Sequence, residues 1–363
     1  MKYLEEYRDP ELSKAYLKEI ERISSNGNSW GIMEFCGGQT HSLVKNGIVN
    51  LLPPNINLIH GPGCPVCVTP VSTIDQAIEL ASQKDVILCS FGDMLRVPGS
   101  TQSLLDVKAA GGNVKAMYSP MDAVQIAREI PDKEIVFFAV GFETTAPANA
   151  LSVLHAELFG LENYSLLTSH VLVPPAIEAV LNEEDSQVDG ILGAGHVCSV
   201  IGIGDFDCIV ADYKIPIVVT GFEPVDLLQG ILMTIQQLEN REAKLENQYS
   251  RVVPPEGNPK AKKVIERVFE VCDKEWRGIG MLPMSGWQIR PEFAKYDAVS
   301  KFGLKSTLED NETECIAGEI LKGAKKPMDC PHFGKQCTPV NPIGAPMVSS
   351  EGACAAYYHF SNL

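Results

Sequence analysis

No G-x-x-x-x-G-K-S/T loop occurs in this chain, and no G-x-G-x-x-G follows an apolar run. An autonomous ATPase and a nicotinamide-dependent enzyme therefore have little support. Basic residues are scarce: 30 Lys and Arg stand against 46 Asp and Glu, a formal charge of −16. That balance repels phosphate backbones and anionic lipid, so neither nucleic acid nor a membrane surface is an expected partner. No uninterrupted apolar stretch reaches the ~18 residues of a membrane span. The opening MKYLEEYRDPELSKAYLKEIERI lacks the apolar centre of a signal peptide, and a cytoplasmic protein is expected. Aromatics make up only 7%, but 45% of the 363 residues are hydrophobic, enough for large cores and two or three domains. Disorder and collagen-like repeats are excluded.

What is abundant is cysteine, at eleven residues. In a reducing compartment, clustered cysteines point to metal or redox chemistry more often than to structural disulfides.

Residues 1–29 read as a helix packed on the body, with Asp9 as cap, Pro10 at the first position and an apolar stripe of Leu12, Tyr16, Leu17, Ile20 and Ile23. From residue 30, short apolar runs end in glycine-rich turns and are followed by amphipathic segments. Four runs (GIMEFCGG, NINLIHGPG, VILCSFGD, VKAMYSP) fall in 30–130 and four more (EIVFFAVGF, YSLLTSH, DGILGAGHV, IPIVVTGF) in 131–240. This alternation predicts two similar parallel-sheet α/β domains, one per block. TIQQLENREAKLENQYSRVV and VIERVFEVCDKEW read as charged helices. The remainder of 241–363 becomes irregular and carries four cysteines, as expected of chain folded around a metal or cluster.

In open parallel sheets, chemistry collects at the carboxyl ends of the strands. One run ends in Cys36-Gly37-Gly38-Gln39-Thr40-His41 and the next in Gly61-Pro62-Gly63-Cys64-Pro65-Val66-Cys67. Two thiols spaced as Cys64 and Cys67 can close a disulfide or chelate one metal, and a helix start lowers a thiol's pKa. With Cys36 and His41, three sulfurs and an imidazole could face one crevice, a donor set suited to iron or zinc. His41 can equally be structural. Cys89, Cys208 and Cys272 read as small buried hydrophobes, and packing is the favoured reading for Cys198. Asp93, Arg96 and Glu143 lie at strand ends, as acid/base groups, supports for a ligand, or caps of following helices, and His196 reads as a support for a ligand. The set Cys315-x14-Cys330-x6-Cys337-x16-Cys354 fits neither zinc ribbons nor the short ferredoxin run. It still supplies four thiolates, and a [4Fe–4S] cluster is favoured over zinc.

CGGQTH (36–41), GPGCPVCVTP (61–70), FGDMLRVPGS (91–100), GFETTAP (141–147), GHVCSVIG (195–202) and the four C-terminal cysteines together resemble the HypD-type maturation factors of [NiFe]-hydrogenase. The resemblance runs from about residue 30 to the end, with Cys198 where a serine-like residue is expected. It implies two α/β domains with a [4Fe–4S] domain, forming a scaffold on which the hydrogenase Fe(CN)2CO group is built. It implies two partners: the small chaperone HypC, sharing the iron through its own cysteine, and HypE, delivering cyanide as a protein thiocyanate. Carried over, Cys36, Cys64 and Cys67 become the iron- and redox-active set, His41 their neighbour, and Cys315, Cys330, Cys337 and Cys354 the cluster ligands. Two other readings use the same cysteines: a general cluster-linked thiol–disulfide oxidoreductase, and a non-catalytic zinc-stabilised assembly protein.

Overall fold

The computed structural model describes residues 5–305 and 314–361. Two sheets form the body. The first contains β1 (Trp30–Glu34), β2 (Ile56–His60), β7 (Gly190–Ala194), β8 (Ile217–Thr220) and β9 (Leu245–Asn247), all parallel, in the order β2-β1-β7-β8-β9. The second contains β3 (Val86–Ser90), β4 (Val114–Ala116), β5 (Glu134–Gly141) and β6 (Tyr164–Val171) in parallel. The antiparallel hairpin β10 (Phe269–Trp276) and β11 (Gly280–Ile289) extends it, in the order β10-β11-β6-β5-β3-β4.

The α/β class and the parallel strands are as expected, but strand pairing does not follow the contiguous blocks 30–130 and 131–240. β1, with β2 on its outer side, pairs with β7 from beyond residue 189, whereas β3, with β4 on its outer side, pairs with β5. Short apolar runs mark where strands are without naming their neighbours, so an interleaved chain looks like a sequential one. Two helical expectations also change. The helix Pro224–Glu239 stops before Arg241, which takes a left-handed φ of 56°, and β9 follows. The helix Pro259–Val268 gives way at Phe269 to β10, whose residues pair across to β11.

The central parallel strands of each sheet are covered on both faces, as parallel strands require. The period-two alternation of a strand sorts the side chains. In the first sheet Ile32, Leu58 and Leu192 face one core, while Met33, Ile59 and Ile191 face the other. In the second, Ile135 and Phe137 oppose Val136 and Phe138 in the same way. The N-terminal helix, Pro10–Ile23, starts as expected: Asp9 Oδ1 accepts from the backbone N–H groups of Glu11 and Leu12 at 2.8 and 3.1 Å. Its Ile20 is fully buried among Leu227, Ile231 and Ile235 of the helix Pro224–Glu239. Among the described residues, no helix is long and apolar enough to cross a membrane.

Candidate functional site

In a doubly wound sheet, the crevice for a ligand opens where the chain reverses its direction of travel across the strands. In the first sheet the chain runs from β1 out to β2, then returns to the far side of β1 as β7. Cys36 follows β1 and His196 follows β7. Across that reversal Cys36 Sγ lies 3.6 Å from His196 Nδ1 and 3.9 Å from Nε2. Phe222, just after β8, meets the imidazole edge-on with ring centroids 5.3 Å apart.

Cys36 is buried and precedes the first residue of the helix Gly37–Lys45. Burial pushes its thiol pKa up, and the Glu351 charge adds to the effect. Burial pushes His196 down to about 4, so its imidazole is neutral at pH 7. Without a cation the sulfur therefore keeps its proton. A bound metal dication reverses that balance, displacing the proton as it takes the thiolate.

The Cys36 turn rests on Glu34, whose carboxylate is fully buried at the end of β1. Glu34 accepts from the Cys36 backbone N–H at 3.0 Å, from the Thr40 hydroxyl, and from His60 Nδ1 at 2.7 Å. Glu34 and His60 are register partners at the carboxyl ends of β1 and β2. With that tautomer, His60 Nε2 accepts from the Tyr357 hydroxyl at 2.9 Å. Tyr357 belongs to the helix Ala353–Phe360, which also carries Cys354, so a buried polar chain joins the Cys36 turn to the C-terminal segment. Burial raises the Glu34 carboxyl pKa, although His60 opposes the shift.

Cys64 and Cys67 are disulfide-bonded and buried, and Pro65 starts the short helical turn Pro65–Val68 between them. This loop is bonded to the Cys36 turn through the backbone, with Gly37 N–H donating to Gly63 C=O at 2.9 Å. Glycine is required at both positions by close approach. A Cβ on Gly63 would sit 2.3 Å from Cys36 N, and one on Gly37 would sit 2.5 Å from Glu351 Cβ. With the pair closed, three free thiolates do not face one ion. Among the described residues, no three His, Cys, Asp or Glu side chains are placed to hold a single metal.

His41 departs from the expected crevice. Its Nδ1 donates to the Ser350 carbonyl at 3.0 Å and its ring meets Phe360 edge-on, so it docks the C-terminal segment. The imidazole beside Cys36 is His196 instead. Asp93 and Arg96 pair at 3.0 Å after β3, and Arg96 also donates to the Val348 carbonyl at 2.8 Å. That contact holds the segment carrying Glu351, whose carboxyl is pushed up by burial and then by the Asp93 charge. Glu143, after β5, is buried. One of its oxygens accepts from the N–H of Val173, the first residue of the helix Val173–Leu181, at 2.9 Å; the other has no partner. Burial raises its carboxyl pKa to about 7. Glu143 is thus a cap, though of a different helix from the one that follows it, and it lies near enough to Cys198 to raise that buried thiol's pKa. Cys89 and Cys198 are buried as expected; Cys208 is exposed and Cys272 half-buried.

Cys315, Cys330, Cys337 and Cys354 line one small cavity of about 20 Å³ with Ile316, Ile320, Phe333 and Met347. A Cβ on Gly344 would reach 2.2 Å from Cys315 Sγ, and the Ile343 N–H donates to Cys337 Sγ at 3.4 Å. Burial raises the Cys354 pKa, and the other three cysteines raise it further. Four thiolates cannot coexist in so small a space without a polycation to offset their repulsion. The donor set is all thiolate, which suits an iron–sulfur cluster.

The HypD family profile, described as the hydrogenase formation hypA family, matches residues 11–361. The chain belongs to the HypD family of hydrogenase maturation factors. It is 48% identical to the hydrogenase expression/formation protein HupD of Azotobacter chroococcum mcd 1, over 99% of this chain and 97% of that protein. It is 47% identical to the hydrogenase maturation factor HypD of Azotobacter vinelandii and 43% identical to that of Escherichia coli K12. Those matches cover 99% of this chain and 97% and 98% of the relatives.

Sequence reasoning missed several residues in this HypD-family site: Glu34, His60, Tyr357 and Glu351. The first two carried a signal. In GIMEFCGG and NINLIHGPG a polar residue closes an otherwise apolar run just before a cysteine loop. A buried carboxylate and imidazole there need each other. Tyr357 and Glu351 come from distant chain and had no local mark.

Proposed function

We propose that this HypD-family chain is a scaffold that holds iron while the Fe(CN)2CO group of [NiFe]-hydrogenase is assembled. Cys36 binds the iron, the Cys64–Cys67 pair does redox work, and Cys315, Cys330, Cys337 and Cys354 hold a [4Fe–4S] cluster. The observation that carries this reading is the placement of Cys36. Its buried thiol lies at the chain-reversal point of a parallel sheet, 3.6 Å from a neutral imidazole and backbone-bonded to the loop of a redox-capable pair.

Soft thiolate suits low-spin iron with strong-field diatomic ligands, and the iron here is substrate rather than resident cofactor. The partners are a HypC-type chaperone that shares the iron through a cysteine and a HypE-type donor that carries protein thiocyanate, all in the cytoplasm. Freeing cyanide from R–S–C≡N takes two electrons. Cys64 and Cys67 as thiols give disulfide, R–SH and HCN, their two protons passing to the leaving thiolate and to cyanide. Returning the disulfide to two thiols takes two electrons and two protons. When bound, the cluster supplies single electrons for that step. Asp93, Arg96 and Glu351 position the C-terminal segment against the Cys36 turn, and Glu34 fixes the turn from below.

Cys64→Ala tests the redox role. Hydrogenase maturation in cells is expected to fall to background while the purified variant keeps its fold. Wild-type maturation by Cys64→Ala would remove the redox role. Reduction of generic protein disulfides by the wild-type chain would favour the general oxidoreductase instead.

A further inference from the structure

The tip of the β10–β11 hairpin touches the surroundings of both cysteine groups. Arg277 N–H donates to the carbonyl of Val68, the residue after Cys67, at 2.8 Å. Next to it, Gly278 (φ +80°) packs on Gly318 so closely that a Cβ on either would lie within 2.8 Å of the other's backbone. Gly318 belongs to the helix Ala317–Leu321, which begins two residues after Cys315. The hairpin tip is therefore wedged between the disulfide turn and the four-cysteine segment.

The Arg277 side chain is half-buried there. Its one described hydrogen bond is long, from Nη1 to the Pro98 carbonyl at 3.4 Å, and none of the described ion pairs includes it. A guanidinium withdrawn from water without an anion is costly. Arg277 immediately precedes Gly278, whose contact with Gly318 sets this stretch against the chain three residues beyond Cys315.

We propose that Arg277 is the counter-charge of the four-cysteine site, a positioning residue that favours the more negative, reduced form of the cluster held there. The inference rests on the cluster reading given above. A cluster bound by four thiolates is anionic, and each added electron makes it more so. A fixed guanidinium beside it offsets part of that cost, more strongly where water is partly excluded. The backbone of the same hairpin tip bonds to Val68, so the segment that carries the cation also joins the four-cysteine segment to the Cys64–Cys67 turn.

The test uses the full-length chain, reconstituted with iron and sulfide without oxygen and titrated with dithionite as the one-electron donor. Electron paramagnetic resonance of the reduced cluster is the readout. Arg277→Gln is expected to make the cluster at least tenfold harder to reduce, a midpoint lower by about 59 mV, while Arg277→Lys stays near wild type. An unchanged midpoint in Arg277→Gln, with iron and sulfide intact, overturns the inference and leaves the cluster reading standing. Loss of the cluster in Arg277→Gln but not in Arg277→Lys supports the charge requirement. Loss in both overturns it, because shape rather than charge would then be at stake. A wild-type chain that takes up no iron and sulfide overturns the cluster reading and this inference with it.

Discussion

Cys36→Ala is expected to abolish retention of the iron held at Cys36, leaving only the cluster iron, and with it hydrogenase maturation. Removing a group that only supports a metal ligand costs ~10–100-fold in affinity, so losing the thiolate itself should cost at least ~100-fold. The fold should survive, because Cys36 contributes one small side chain to a large apolar cluster shared with Val68, Phe142 and Trp276. The check is iron content of the anaerobically purified variant beside its thermal midpoint. Iron at the wild-type level would assign the site elsewhere. Cys36→Ser separates size from chemistry: it keeps the space and loses the soft donor, and should behave like alanine.

Gly63→Ala is expected to damage stability and function together. The new Cβ would press on the backbone of Phe35 and Cys36 at 2.3–2.5 Å, with no flexible side chain to give way. Overpacking of this kind costs about 3 kcal/mol, which at ~2–4 °C per kcal/mol lowers the thermal midpoint by about 6–12 °C. Since the Cys36 turn must move to relieve the contact, maturation should fall as well. Gly204→Ala is the control, because its Cβ meets nothing within 4 Å and should leave both quantities unchanged. A Gly63→Ala protein with a wild-type midpoint would show that the two loops are not held as described.

Local features of the site were legible in the sequence. Apolar runs that end in glycine turns located the strands, and the cysteine loops do sit at the carboxyl ends of β1 and β2. The four C-terminal cysteines, which the sequence groups in one irregular segment, line one cavity. What was not legible depends on strand pairing. His41 and His196 both follow glycine turns, and only the β1–β7 pairing brings His196 to Cys36. The same holds for the interleaved sheets, since strand neighbours are set by crossovers that leave no mark on the strands themselves. VFEVCDKEW read as a helix because of its charges. Its antiparallel partner β11 makes it a half-exposed strand, where alternate positions are free to be charged. Glu143 shows the remaining gap: strand-end position identified it as a cap or an acid, but only the fold reveals that it caps the helix Val173–Leu181.

The most direct test of the scaffold role is one anaerobic purification of the full-length chain co-expressed with its HypC-type partner. Iron, zinc and acid-labile sulfide are measured, and an infrared spectrum is taken from the same sample. The scaffold account expects about four cluster irons with matching sulfide, together with cyanide and carbon monoxide stretches that vanish in Cys36→Ala. Zinc without sulfide or diatomic bands would contradict it in favour of a zinc-stabilised assembly protein. Iron and sulfide without diatomic bands, with all partners present, would contradict it in favour of a plain redox enzyme.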